Sequence, residues 1–438
     1  MDLLADCVAV FFIAHFLWSY YWNCYRKGYT IDLWHFELAF NVFAIYIMLP
    51  FSRIDLNALV IGPGLWRHTA PFVNEAYFIS ALGYAGILAG GNLWRLRLGL
   101  GLRRGFDRVI EWPLQGALNV LRAPRLVFVH CAISLALLGT TLAIYFAHSG
   151  FGFNLRGLLL VMPALRPLAQ FAAFYGIMAG SYALARYAIY RERSMLVPPL
   201  MIAVAFCFYA ERSDIIGVFM LALIVTMVRM RRRLRLVYLA AGVVGILFVA
   251  MLLDALRRPN FSPVAVLQRF GFNVFFGNSF SDTRDFATVL SFWNGQLLLG
   301  KTYLAGLISF VPRVLSPFRD KWALGVVTAT MVGFLPTQHP GLRIGVFGEA
   351  FLNFGLPGVL ALSLFLGSVL KLMDLRVKQS LAQLPRSGMR VFAYFILGYL
   401  TGAAQNSSSA SAFYTVMVFI GVSAAMIKFS RFLKLPLA

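Results

Sequence analysis

Residues 346–370 read VFGEAFLNFGLPGVLALSLFLGSVL, an apolar run whose one charged residue is Glu349 and which ends at Lys371. A helix needs roughly 20 mostly apolar residues to cross about 30 Å of hydrocarbon at about 1.5 Å per residue. The run is long enough, so it predicts a membrane span. Working outward, comparable runs occupy 3–22, 32–50, 76–93, 126–146, 168–186, 196–211, 213–229, 236–254, 390–405 and 411–428, making eleven spans, with ten to thirteen compatible with the same reading. Apolar residues make up 60% of the chain and its mean hydropathy is +0.76. That leaves too little polar surface to solvate a soluble globule of this size. The expected fold class is therefore all-α, a polytopic transmembrane helical bundle. The opening MDLLADCVAVFF lacks the basic stretch and small-residue cleavage site of a signal peptide, and is expected to stay as the first span. The chain reads as one membrane domain. Spans one to eight fill 1–254, a large connection fills 255–345, and the last three spans with a C-terminal tail fill 346–438.

The formal charge of +22 raises nucleic acid as a partner, but the distribution points to a bilayer. Alternate connections are basic: Arg26 and Lys27; Arg95 through Arg125; Arg186, Arg191 and Arg193; Arg229 through Arg235; Lys371 through Arg390; Lys428 through Lys434. Lys and Arg collect in cytoplasmic connections, so these are expected inside, with the N-terminus outside and the C-terminus inside. The connection 255–345 breaks the bias. It carries Arg257, Arg258, Arg269, Arg284, Lys301, Arg313, Arg319, Lys321 and Arg343 against Asp282, Asp285 and Asp320. Long connections cross regardless of charge, so the excess points to an anionic partner on the outer side. Two stretches within it, LSFWNGQLLLG and KTYLAGLISFVP, read as short apolar helices that lie in the interface or re-enter as a lid. A further span hidden in 286–312 is the alternative, and it would invert every later connection.

Three constellations could carry chemistry. FYAERSDIIGVF places Glu211, Arg212 and Asp214 where one span turns into the next, and charges at membrane depth need a partner or a watery cavity. SFVPRVLSPFRDKW spaces Arg313, Arg319 and Lys321 with two prolines that stiffen the backbone. Guanidinium groups present planar forks of donors that match phosphate oxygens. FLPTQHPGLRIGVFGEAFLNFGLPG sets His339 and Arg343 outside the membrane, while Glu349 and Asn353, four apart, share one helix face. Its glycines, Gly348, Gly355 and Gly358, are expected to permit close helix packing. Glu349 reads equally as a functional carboxylate and as a structural partner of Arg212 or Arg343. Cys7, Cys24, Cys131 and Cys207 form no CxxC pair, so neither a disulfide nor a metal framework is expected. The absence of P-loop, HExxH, GxSxG and DxD motifs argues against ATP-driven transport and nucleotide-sugar chemistry.

The pattern resembles the Wzy-type O-antigen and oligosaccharide repeat-unit polymerases. The resemblance rests on Arg212 and Ser213 opening a span, on Pro312 and Arg313 through Lys321, and on Pro336, Thr337, Gly348, Glu349, Asn353, Phe354, Gly355 and Gly358. It covers about the second half of the chain. It implies a glycosyltransferase of the bacterial inner membrane that polymerises undecaprenyl-diphosphate-linked oligosaccharides at the periplasmic face, without cofactor or metal. It further implies a chain-length regulator and a flippase of the same pathway as partners. On this reading Arg212, Arg313, Arg319 and Lys321 hold diphosphates, with Arg284 and Arg343 secondary; Glu349 or His339 takes the acceptor proton; Asn353 and Asp214 complete the site. An O-antigen ligase, a flippase or exporter of lipid-linked sugars, and a structural membrane protein are the competing readings.

Overall fold

The computed structural model describes residues 2–93, 118–150, 162, 165–209, 275–277, 280–309, 311, 315–336, 339, 341–382 and 410–432, with isolated positions at 272 and between 237 and 248. Among them there is no strand. The main helices are α1 (Asp2–Tyr20), α2 (Leu33–Asn41), α3 (Val73–Leu93), α4 (Pro124–Ser149), α5 (Arg166–Tyr190), α6 (Val197–Tyr209), α7 (Asp282–Phe292), α8 (Lys301–Leu307), α9 (Pro317–Trp322), α10 (Leu324–Val332), α11 (Gly345–Ala382) and α12 (Ala410–Phe432).

Among the described residues, six helical stretches are long and apolar enough to cross a membrane: Asp2–Tyr25, Leu33–Arg53, Pro63–Leu93, Pro124–Ser149, Pro167–Tyr187 and Gly345–Gln379. The chain is a multi-pass helical membrane protein. Each of the six overlaps an apolar run read from the sequence. The run 196–211 corresponds to the shorter apolar helix Arg193–Tyr209, and 411–428 falls within α12. The runs 213–229 and 390–405, and most of 236–254, lie outside the described residues.

The helices group into two compact units. One comprises 1–104, 269–375 and 400–411; the other comprises 105–268, 376–399 and 412–438. In the second unit α4, α5 and α12 are joined by a buried polar link, in which His130 Nδ1 lies 2.6 Å from Tyr175 Oη and Nε2 lies 2.8 Å from Ser423 Oγ. Every polar atom of that imidazole has a partner, which is what burial in a low dielectric requires.

In the first unit the sequence between the early spans and α11 folds onto the helices. Helix α7 is buried along almost its whole length, and Phe286 and Ala287 belong to the same apolar core as Trp66, Tyr77, Phe347 and Phe351. LSFWNGQLLLG is not a helix. α7 ends at Phe292 and 293–300 runs as irregular chain, because the Asn294–Gly295 pair and Gly300 favour turns over helix continuation. Among the described residues of 286–312 no spanning helix forms, since α7 ends at Phe292 and the next helix starts at Lys301. KTYLAGL does form a helix, α8, of seven residues.

Backbone contact between α3 and α11 sets the unit's packing. A Cβ added at Gly90 would overlap the Leu364 carbonyl, and one added at Gly367 would overlap the Ile87 carbonyl. Ser368 Oγ donates to Gly90 O across this crossing at 3.1 Å. Such small-residue crossings let membrane helices gain dispersion and polar contacts that lipid does not supply. Gly367→Ala is therefore expected to destabilise by about 1–3 kcal/mol, the usual result of overpacking. Gly139→Ala, with nothing within 4 Å of the added carbon, should not. Thermal melting of both variants in detergent checks the pair.

Candidate functional site

The site begins with a break in α11. Gly355 has φ 67 and ψ −161, a non-helical conformation inside the helix that side-chain-bearing residues rarely adopt, and Pro357 comes two residues later. Pro357 has no N–H, so the Asn353 carbonyl four residues earlier loses its helical donor. The irregular chain before α8 replaces what is missing. Leu298 N–H donates to Leu352 O at 2.9 Å, and Leu299 N–H donates to Asn353 O at 3.0 Å. Leu299 itself adopts φ 50 and Gly300 φ 80, which turns the chain back into α8. Gly355, expected to serve close packing, instead permits the kink; Gly348 and Gly358 sit in tight surroundings, since a Cβ added at Gly348 would crowd Ile344 and Phe286 and one at Gly358 would overlap Phe354 and crowd the Ala350 carbonyl of the same helix.

This anchoring delivers Thr302 to Glu349. Thr302 Oγ1 donates to Glu349 Oε1 at 2.7 Å, and Asn353 Nδ2 donates to Thr302 Oγ1 at 2.7 Å and to Glu349 O at 2.8 Å. All three side chains are fully buried. Two buried polar atoms beside them, Asn353 Oδ1 and Tyr303 Oη, make no hydrogen bond. The Tyr303 ring stacks on Phe354 at 6.2 Å, and its phenol pKa is pushed up, by burial first and by the Glu349 charge second. Glu349 and Asn353 thus share the helix face and polar cluster that their spacing predicts, while Thr302 is a partner that sequence reasoning missed.

One residue before Thr302, the Lys301 ammonium sits 4.3 Å from the Trp322 ring centre, and Lys321 sits 5.4 Å from the same ring. Two cations from separate segments thus share one indole face system, a favourable arrangement for ammonium groups. Arg319 donates to the Val311 carbonyl, and Ser316 caps its helix by accepting the Arg319 N–H. Arg313, Arg212 and Asp214 lie outside the described residues.

Arg284 is almost wholly buried and directs its donors inward, to Asp285 Oδ1 at 3.1 and 3.2 Å and to Phe276 O at 2.8 Å. Asp285 Oδ2 also takes Ser281 Oγ at 2.8 Å and the Arg343 N–H at 3.4 Å. The exposed Arg343 side chain acts on Asp282, whose carboxyl is pushed up to about 6 by burial first and Asp285 second, with Arg343 opposing. His339 stacks on Phe334 at 4.5 Å, and its Nδ1 accepts the Gly341 N–H at 3.1 Å. Among the described residues His339 makes no contact with the Glu349 cluster.

Cys24, for which no metal partner was expected, lies with Asp32 and His35 in a buried group. No protein-family model, no curated protein sequence and no solved structure matches this chain.

Thr302→Val keeps the shape but removes a donor from Glu349 and an acceptor from Asn353, and should lower stability by about 1–3 kcal/mol, as an unsatisfied buried group does. For Asp282 the folded chain holds a proton where the unfolded one has lost it, between its ordinary 3.8 and about 6. Stability is then greatest below this window and falls as pH rises through it. Asp282→Asn should flatten the slope of melting temperature against pH there.

Proposed function

We infer that this chain is a glycosyltransferase of the bacterial inner membrane that joins undecaprenyl-diphosphate-linked oligosaccharide repeat units at the periplasmic face, with the N-terminus periplasmic and the C-terminus cytoplasmic. The observation that carries this reading is the meeting of Lys301 and Lys321 at Trp322, next to the Thr302–Glu349 bond. A glycosyl diphosphate needs cations aimed at its departing oxygens, and a sugar needs a flat apolar face beside them. The Wzy-like passages in the sequence add Arg313 and Arg212 to the same task, with Arg319 and Arg343 flanking. Arg284 is bonded to Asp285 and serves the scaffold.

In the reaction, the acceptor hydroxyl oxygen bonds the anomeric carbon as the bond from that carbon to the diphosphate breaks. The electron pair leaves with the diphosphate and the hydroxyl proton passes to a base. Glu349 is fully buried beneath α8 and accepts the Thr302 hydroxyl, and on this reading it positions Thr302 and Lys301. A chain-length regulator and a flippase fit as partners of such a polymerase. A second reading, transport of lipid-linked sugars, is favoured by the Gly355 break, since discontinuous helices line transporter sites.

Purified protein supplied with a synthetic lipid-diphosphate repeat unit should give a glycan ladder. Movement of the lipid without bond formation points to the transporter, and transfer onto lipid A core sugar points to a ligase. The double variant Lys301→Ala/Lys321→Ala should slow ladder formation about 10²-fold or more, as loss of charge stabilisation does. Glu349→Gln, which can still accept the Thr302 hydroxyl, should retain most activity while Glu349→Ala loses it; a dead Gln variant would assign Glu349 as the base instead.

A further inference from the structure

The first two spans meet at a polar cluster that plays no part in the Lys301–Glu349 region. α1 does not finish as a regular helix. Tyr21–Tyr25 form a π-turn in which the Arg26 N–H bonds Tyr21 O at 2.8 Å. A π-turn holds one more residue than an α-turn and so rotates the next side chains by about 100° around the axis. Beyond it Tyr29 N–H bonds Cys24 O at 3.1 Å, and Asp32 caps α2 by accepting the His35 N–H at 2.7 Å. The ligand atoms of Cys24, Asp32 and His35 come to lie within 4.8 Å of one another, and all three residues are buried.

The hydrogen bonding has the form a metal ligand set needs. Asp32 Oδ1 and His35 Nδ1 stand 2.6 Å apart, a separation at which two lone pairs require a proton or a cation between them. The far ring nitrogen, Nε2, lies 3.1 Å from Ser19 Oγ. A metal-bound histidine characteristically gives its second N–H to an oxygen, which fixes the ring and the tautomer, and Ser19 stands where that oxygen belongs. Thiolate, imidazole and carboxylate together suit Zn(II), with bonds of about 2.0–2.3 Å and three protein ligands plus one open position. A hard cation such as Mg(II) takes oxygen donors and leaves the sulfur unused.

We propose that Cys24, Asp32 and His35 bind a zinc-class divalent metal that staples α1 to α2, with water as the fourth ligand. Binding releases the Cys24 thiol proton to solvent and moves the proton shared by Asp32 Oδ1 and His35 Nδ1 to Nε2, where it is donated to Ser19 Oγ; the ring stays neutral and no electron moves. The proposal holds whichever reaction the chain performs.

The test uses the full chain in detergent, stripped with chelator and titrated with Co(II), then Zn(II). One equivalent of Co(II) should produce a sulfur-to-cobalt charge-transfer band that Zn(II) abolishes, and Zn(II) should raise the melting temperature. Cys24→Ser and His35→Gln should lose the band, and Cys207→Ser should keep it. X-ray absorption of the zinc-loaded wild-type chain should show one sulfur among nitrogen and oxygen neighbours. A wild-type chain with no band, or a zinc shell without sulfur, overturns the proposal, and neither result depends on a variant folding. A band that survives Cys24→Ser overturns it as well.

Discussion

Two backbone hydrogen bonds, from Leu298 and Leu299 to the carbonyls of Leu352 and Asn353, hold the first unit's functional region together. Inside a bilayer no water is at hand for a carbonyl that loses its helical donor, and each such group costs several kcal/mol. The kink at Gly355 and the missing N–H of Pro357 create that deficit in α11. An irregular segment from elsewhere in the chain fills it, with Leu298 and Leu299 as the donors. The helix break and the irregular segment are therefore coupled, each supplying the hydrogen-bond partners that the other lacks.

Everything else near the site hangs from that pairing. With Leu299 and Gly300 turned, α8 starts where Thr302 can reach Glu349 and where Lys301 can cover Trp322. Buried charges nearby follow one rule: Arg284 faces Asp285, and Glu349 faces Thr302. Removing one partner of such a pair leaves an uncompensated buried group, which is far more costly than the pair itself is favourable. Lys321 and Arg343 are left exposed around this scaffold.

Much of the fold was legible in the sequence, because apolar run length is nearly all a spanning helix requires. The runs 126–146, 168–186 and 346–370 match Pro124–Ser149, Pro167–Tyr187 and Gly345–Gln379. The Glu349–Asn353 pairing was legible too, from four-residue spacing. What escaped was direction and interruption. Hydropathy counts Leu297 to Leu299 as helix-forming, yet an Asn–Gly turn before them and a carbonyl deficit across from them make them irregular chain. Gly355 and Pro357 stood in plain view, but a glycine in an apolar run signals close packing as readily as a break. Charge counting placed Arg284 among outward cations, whereas its neighbour Asp285 draws it inward. The Cys24 group depends on a π-turn, for which no sequence pattern exists.

Hydrogen exchange of the Leu298 and Leu299 amides, measured in detergent-solubilised protein, tests the central pairing most directly. Exchange should be as slow as that of the buried α11 amides on either side of Glu349, and should accelerate when Gly355→Ala restores a helical conformation there. Amides at 298 and 299 that exchange at the rate of an exposed connection would contradict the pairing.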